Sequence, residues 1–414
     1  MQKVLFICLN YFENGPRAIR TRAIVRALSS YYDIHVLCLA TQQAEQYHQD
    51  RYALHTIPVS LFGRIIRFKT FPSVATKNQN EITHAKQLLK RIALKLSLKK
   101  LFVPDVFVTE KRSLVKHIRL LLTDHQFHAV IGSAFPFTVM GLGKTVKKYS
   151  PSTLWIIDLG DPYYKNSALS HGVIMEIIAQ RFERAALAYA DALIVTNEKT
   201  KDAYVASFGD RITSKKIYVI KQGTEVSNQQ EANSRRGLES TQFRLLYAGT
   251  IIKGLREPDQ LFEAVGKLNG GVRLDIYGQN PIKYNFKKYS ADLGTIIHHG
   301  MIGHDSISAA YQNSDLLVFI DNAHGFQYSG KIFELLATTK PILFIYTISD
   351  SDAMRIAKDY EGVTYCHNVA SDIKRAINEI RIGNTPLEYK RDLSQHSWER
   401  RAKGFLEILQ KECL

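Results

Sequence analysis

Acidic residues are scarce in this chain: 39 Asp and Glu face 55 Lys and Arg, which leaves a formal charge of +16. No apolar run approaches the roughly 18 residues that a membrane-spanning helix needs, so helical membrane spans are excluded. The opening MQKVLFICLNYFENG lacks the basic, long apolar and small-residue zones of a signal peptide, and it reads as a first strand and its loop. Cysteine is sparse too. Cys8, Cys38, Cys366 and Cys413 are scattered, with neither metal-ligand spacing nor a disulfide framework, so the expectation is reduced thiols in the cytoplasm. There is no short-period repeat, no low-complexity tail and no Ser/His/Asp spacing that would point to a hydrolase. His298 and His299 are adjacent on a strand-like run, where neighbouring side chains point to opposite faces and do not readily share one ion. The GLGKT at 141–145 lacks the first glycine and the strand context of a P-loop. No metal and no cofactor are expected.

The positive charge is concentrated. Residues 61–120 hold 14 Lys and Arg against Glu81, Asp105 and Glu110, which places about +11 of the +16 in this stretch. Within it, residues 86–101 space Leu88, Leu89, Ile92, Leu96 and Leu101 near helical period, with Lys86, Lys90, Arg91, Lys95, Lys99 and Lys100 between them. Such a basic amphipathic helix reads as an element attracted to an anionic membrane surface, or as a core-packing helix with a solvated lysine face. Nucleic acid is not expected, because the segment offers few aromatics for base stacking and no reader motif.

Apolar runs alternate with helical patterns along the chain. KVLFICLN, DIHVLCLA, HAVIGSA, TLWIIDLG, DALIVTN and KIYVIKQG occupy the first half. After the polar TEVSNQQEANSRRGLESTQ, the alternation restarts with FRLLYAGT, VRLDIYG, TIIHHG, DLLVFID, PILFIY and GVTYC. Two consecutive βαβ series predict two α/β domains, each a parallel sheet with helices on both faces. The expected boundaries are 1–222 for the first domain, 223–242 for a linker and 243–392 for the second domain. Sheets of this kind bind ligands at the carboxyl ends of their strands.

The second half supplies a set of strand-end loops. Tyr328–Pro341, YSGKIFELLATTKP, opens a helix from a small-residue loop containing Ser329 and places Lys331 and Glu334 in its first turns. Helix-start amides and a lysine suit anionic phosphate, and a carboxylate one turn on can accept from sugar hydroxyls. The alternative is an ordinary αβ unit with both side chains solvated. Gly249 ends another run and is followed by Lys253 and Arg256, two cations that suit a diphosphate. Gly278 ends the next, and Gly300 and Met301 end a further one, where a backbone commonly receives a flat base.

The stretches LLYAGTIIKGLREPDQLFEAVGKL, VRLDIYG, HHGMIGHDSISAAYQNSDLLVFI and SGKIFELLATTKPILF resemble the nucleotide-sugar domain of glycosyltransferase family 4. In the first half, LNYFENGPRAIRTRAIVRAL resembles the acceptor-side loop and helix of that family, and AVIGSAFPFTVMGLG and LWIIDLGDPYYKN resemble its cleft-lining strand ends. SWERRAKGFLEIL, within 393–414, resembles the closing helix that packs back on the first domain. The nearest subtype is that of capsule and O-antigen assembly. The resemblance implies the GT-B architecture of two facing Rossmann-like domains, and retaining, metal-independent transfer from a nucleotide diphosphate-sugar to a polyprenyl-linked or glycan acceptor at the inner face of the membrane.

Carried over residue by residue, Glu334 matches the glutamate that binds the ribose, Lys331 faces the diphosphate, and Lys253 and Arg256 match the basic pair after the glycine loop. The fuller family motif has a second glutamate eight positions before Glu334, and this chain has Phe326 there. Gly325, Phe326 and Gln327 then offer backbone groups or an amide to the donor. Asp158 and Asp161 are candidates to orient the acceptor hydroxyl or act as base, or else Asp161 caps the next helix while Asp158 satisfies backbone amides. Gly15 keeps the first loop open, and Arg17 and Arg20 are placed to meet an acceptor phosphate. Asp350-Ser351-Asp352 matches a metal motif of another glycosyltransferase fold, but its place before a helical pattern reads as a cap. Two rival readings are a sugar-nucleotide epimerase of the same architecture and a silent homologue serving as an assembly subunit.

Overall fold

The computed structural model describes residues 1–13, 15–41, 52–60, 102–166, 172–225, 242–268, 271–281, 283–289, 295–323, 329–383, 386 and 388–411. The basic segment 86–101, most of the polar stretch at 226–241, Gly325, Phe326, Gln327 and Cys413 lie outside the described residues. The chain divides into two compact units, Met1–Gln222 with Trp398–Leu414, and Gly223–Ser397.

The first unit is built on β1 (Lys3–Ile7), β2 (Asp33–Leu39), β3 (Ala53–Ile57), β4 (Phe127–Ser133), β5 (Leu154–Asp158), β6 (Ala192–Val195) and β7 (Ile217–Val219). They form one parallel sheet in the order β3-β2-β1-β4-β5-β6-β7. Strands covered on both faces need no polar side, which is why they read as unbroken apolar runs. The exception is β3, an edge strand whose ALHTI is mostly half-buried and gives no such run. Helices α1 (Pro16–Leu28), α2 (Lys111–Asp124), α3 (Gly143–Tyr149), α4 (Val173–Leu187) and α5 (Glu198–Phe208) connect the strands. Leu114 and Ile118 of α2, Val146 of α3 and Leu187 of α4 pack with Leu5, Val130 and Trp155 on one face of the sheet.

The second unit contains β8 (Phe243–Ala248), β9 (Val272–Tyr277), β10 (Ile296–Gly300), β11 (Leu316–Ile320), β12 (Ile342–Tyr346) and β13 (Val363–His367), with α6 (Asp259–Gly266), α7 (His304–Gln312), α8 (Lys331–Leu336), α9 (Asp352–Ala357) and α10 (Ala370–Ile382). Its parallel order is β10-β9-β8-β11-β12-β13. Leu261 and Phe262 of α6 and Ile373 and Ile377 of α10 cover one face, while Ile307, Ile332, Phe333 and Met354 from α7, α8 and α9 cover the other. Ser351 caps α9, its Oγ accepting from Met354 N at 3.1 Å, and Asp350 pairs with Arg355 at 2.5 Å, so Asp350-Ser351-Asp352 forms a helix start.

The last helix, α11 (Trp398–Lys411), returns to the first unit. Trp398, Ala402, Phe405, Ile408 and Leu409 join Val4, Phe6, Ile24 and Ile34 on the sheet face that α1 also covers. The order of each sheet reverses once, between β1 and β4 in the first unit and between β8 and β11 in the second. Those reversals open crevices at the carboxyl ends of the strands, where doubly wound sheets receive ligands.

Candidate functional site

In the second unit the carboxyl ends of three strands are stitched together by their glycines. Gly249 N donates to Tyr277 O at 2.8 Å, and Gly278 N donates to Gly300 O at 2.9 Å. Gly278 has φ +140, and a Cβ there would collide with the Gly249 carbonyl, so this close backbone approach requires glycine. Met301 follows, 67% exposed, with Gln279 Nε2 at 3.2 Å from its sulfur. After Gly249 the chain makes a tight turn in which Arg256 N donates to Ile252 O at 2.9 Å. Lys253 is exposed on this turn and Arg256 is half-buried.

At the reversal between β8 and β11, buried polar atoms remain unpaired. Among the described residues, the Nε of Arg256, the hydroxyl of Tyr247 and Oδ2 of Asp321 have no hydrogen-bond partner. Tyr247 lies on β8, and Asp321 directly follows β11. Burial raises the pKa of Asp321, while Ser351, the Asn322 amide and the Arg256 charge pull it down. Burial also raises that of Tyr247, again against Arg256. A buried polar group without a partner costs about 1–3 kcal/mol, so a set of them at one strand-end crevice is a candidate place for a polar ligand or ordered water. Donors and acceptors are both present, which suits a ligand carrying anionic and hydroxyl groups.

Lys331 and Glu334 occupy the first turn of α8 and pair with each other, Nζ to Oε2 at 2.5 Å, with side chains 27% and 40% exposed. Glu334 also lies beside the Tyr311 hydroxyl on α7 and raises its pKa, after burial itself. The helix start expected to present amides is short. The helix α8 has six residues, and two amides of its first turn are engaged, Ile332 N with Ser329 O and Phe333 N with Gly330 O. Ser329 Oγ accepts from Lys331 N at 3.4 Å. So short a helix has little dipole to offer an anion.

In the first unit, Asp158 ends β5 and is 3% exposed. Arg20 Nε and Nη2 reach its two carboxylate oxygens at 3.1 Å each, and Arg17 Nη2 approaches one of them at 2.7 Å. Burial pushes the Asp158 pKa up, but the two guanidiniums outweigh it and hold the carboxyl below its ordinary value. Of the two candidate carboxylates, Asp158 is thus spent on two arginines, neither free for an acceptor hydroxyl nor, as the alternative had it, held by backbone amides. Arg20, expected beside an acceptor phosphate, is placed differently. It is fully enclosed, donates to Lys221 O at 2.9 Å, and lies over the Phe405 ring of α11 at 5.5 Å, so it braces the first unit.

Arg17 differs from Arg20. It is 8% exposed, and its Nε and Nη1 have no partner among the described residues. It lies across Gly160, where a side chain would strike its Cδ, and faces Asp161 electrostatically. Asp161 is exposed, yet the protein packed around it desolvates the carboxyl and raises its pKa against the pull of Arg17. Gly15, the residue before α1, has ordinary extended angles and open space where a Cβ would stand.

One residue that the sequence reading missed fixes the Asp161 loop. Glu183 of α4 is fully buried and accepts from Tyr163 N and Tyr164 N at 3.0 Å each and from the Tyr204 hydroxyl. Burial moves its pKa up to about 7. Its helical phase carried the signal, since Ala179, Ala186 and Leu187 around it are all buried.

No protein-family model matches the chain, and no curated protein matches it in sequence. Among solved structures, it is similar to the sucrose-phosphate synthase of Thermosynechococcus elongatus, at 14% identity, with a TM-score of 0.66 and 99% of both chains covered. It is also similar to Anabaena HepE in complex with UDP and glucose, at 12% identity and TM-score 0.64, covering 99% of this chain and all of that one. The UDP-GlcNAc 2-epimerase of Methanocaldococcus jannaschii matches at 12% identity and TM-score 0.53, covering 99% of this chain and 100% of that one. At such identities these likenesses establish the GT-B fold.

Proposed function

We propose that this chain is a retaining glycosyltransferase that moves a sugar from a nucleotide diphosphate-sugar, without a metal, to a polyprenyl-linked or glycan acceptor in cell-surface polysaccharide assembly. The observation that carries this reading is the polar set at the β8–β11 reversal, with Arg256, Tyr247 and Asp321 unpaired and the Lys331–Glu334 pair on α8. Lys331 and Arg256 hold the leaving diphosphate and offset its developing charge. Glu334 exchanges its lysine for the ribose hydroxyls, and Gly249 and Gly278 let the donor approach the backbone closely. Met301, with the backbone beside it, receives the base. In the first unit, Asp161 orients the acceptor hydroxyl, and the unpaired edge of Arg17 meets an acceptor phosphate.

The test supplies purified protein with a panel of sugar nucleotides and a membrane extract, and measures free nucleoside diphosphate. Release is expected with one donor class, falling at least about a hundredfold in Lys331→Ala and Arg256→Ala, the scale seen when groups that stabilise a transition-state charge are removed, and falling also in Glu334→Ala through loss of the ribose contact. Undiminished release in both Lys331→Ala and Glu334→Ala overturns the site. The GT-B epimerase among the structural neighbours gives a second reading. Conversion of the sugar nucleotide without release of diphosphate would establish it instead.

A further inference from the structure

The loop from Asp161 to Asn166 is held from behind by a single carboxylate. Glu183 has no exposed surface, and its two oxygens divide the work. Oε1 accepts from Tyr163 N and from the Tyr204 hydroxyl, and Oε2 accepts from Tyr164 N. At its far end the loop is closed by Asn166 Nδ2, which donates to Pro162 O at 2.8 Å. Between these ties Lys165 is exposed and takes φ +58, a left-handed conformation that a lysine rarely adopts. Such a residue persists only where its surroundings over-determine the backbone. The Tyr163 ring adds a further anchor, packed against Phe137 and Phe182 with centroids at 4.9 and 5.7 Å. The exposed carboxylate of Asp161 is thus carried on a segment whose geometry is set by a buried one.

We propose that Glu183 is a positioning residue for the acceptor step: it touches no substrate, and as a carboxylate it fixes the loop that presents Asp161 to the acceptor hydroxyl. The proposal rests on the reading of Asp161 as the group that orients that hydroxyl. The groups facing Glu183 are Tyr204 on α5, Tyr163 and Asp161 on the loop and, beyond Tyr163, Asp105. Burial raises the Glu183 pKa, its three hydrogen bonds pull it back, and the balance is about 7. Hydrogen bonds to a charged carboxylate are the stronger ones, so the grip on Tyr163 and Tyr164 tightens as the proton leaves. Stability responds with the opposite sign, because a raised carboxyl pKa contributes stability that is lost as pH climbs through 7. A merely structural glutamate would move loop order, turnover and stability together; a positioning one separates them.

The experiment follows hydrogen exchange at Tyr163 and Tyr164 in the full chain, corrected for intrinsic rate, from about pH 6 to about pH 8. Beside it, release of nucleoside diphosphate is measured with the accepted sugar nucleotide and a fixed amount of membrane extract. As pH climbs, exchange should slow and release should rise, although the melting temperature falls. Glu183→Gln should abolish both steps and lower release about a hundredfold, the cost of a small misplacement at a reacting centre, with the half-saturating donor concentration unchanged. Tyr204→Phe keeps the carboxylate but removes a donor that lowers its pKa, so both steps should move to higher pH. That variant also decides the matter if Glu183→Gln fails to fold, and Asp161 and Asp105 are present in all three proteins. Steps that stay in place in Tyr204→Phe, or unchanged exchange at both amides in Glu183→Gln, overturn the proposal. So does release that declines with the melting temperature, or a loss in Glu183→Gln that lies in donor affinity. Exchange is read without turnover, so a loop that responds while no sugar nucleotide is consumed confirms the tie to Glu183 and sinks the transferase reading instead.

Discussion

Arg20 is fully enclosed and meets Asp158 through two donors, so its replacement by Ala leaves a buried carboxylate with half its support. Breaking a buried pair from one side costs about 3–5 kcal/mol, and Arg20→Ala should lose that much stability in chemical denaturation at neutral pH. The loss should shrink in acid. A lowered folded pKa contributes stability above the unfolded value of 3.8 and loses it as pH falls through the folded one. Glu183 has the opposite sign. Its pKa rises from 4.5 to about 7, so its contribution is complete below 4.5 and is lost as pH climbs through 7. The shift corresponds to roughly 3 kcal/mol. Glu183→Gln should flatten the stability curve across that window while lowering stability in acid, because the amide presents a donor to one of the two backbone N–H groups. Helical phase makes Glu183 legible as a buried residue. The Asp158–Arg20 pair was not legible, because its members are far apart in sequence and only the crossover topology joins them.

At the scale of elements, the apolar runs mark strands wherever helices cover both faces, and they fail at the edge. In β3, His55 stands where a central strand would carry an aliphatic residue, and its Nε2 lies 2.9 Å from Nδ1 of His35 on β2. His125, Lys3 and Asp33 face the same spot, with Lys3 Nζ at 3.2 Å from His125 Nδ1 and Asp33 at 3.7 Å from His35. Burial, then the neighbouring His35 and His125, lowers the His55 pKa to about 4. The neutral form is thus favoured in the fold, and its contribution is complete above 6.5 and lost as pH falls towards 4. Hydrogen exchange of the amides of Ala53–Ile57, corrected for intrinsic rate, should quicken between pH 6.5 and 4 while β4 and β5 stay protected. His55→Phe should remove most of that dependence. Helix α8 shows a different limit. Its sequence pattern gives a helix start but no end; the helix stops at Leu336, and the Thr338 hydroxyl bonds back to Leu335 O at 2.7 Å. Apolar phase located the element, while its length was decided by a local side-chain cap that competes with the next helical turn.

At the scale of the molecule, the two units carry separate cores. Clusters around Leu5 and Val4 enclose the first sheet, and clusters around Leu245 and Leu246 enclose the second. The unpaired polar set and the Lys331–Glu334 pair belong wholly to the second unit. A nucleoside diphosphate bound there stabilises the state that holds the β8–β11 crevice together, by about 2.7 kcal/mol at a hundredfold excess over Kd. Hydrogen exchange with and without the ligand should therefore show added protection at Gly249, Arg256 and Lys331 and through β8 and β11, with β1, β4 and β5 unchanged. Adding a sugar-free acceptor phosphate should do the reverse, slowing exchange beside Arg17 and Asp161 alone. Protection by the nucleotide confined to the first unit would move the donor site to the other sheet and leave Arg256, Tyr247 and Asp321 without the ligand assigned to them.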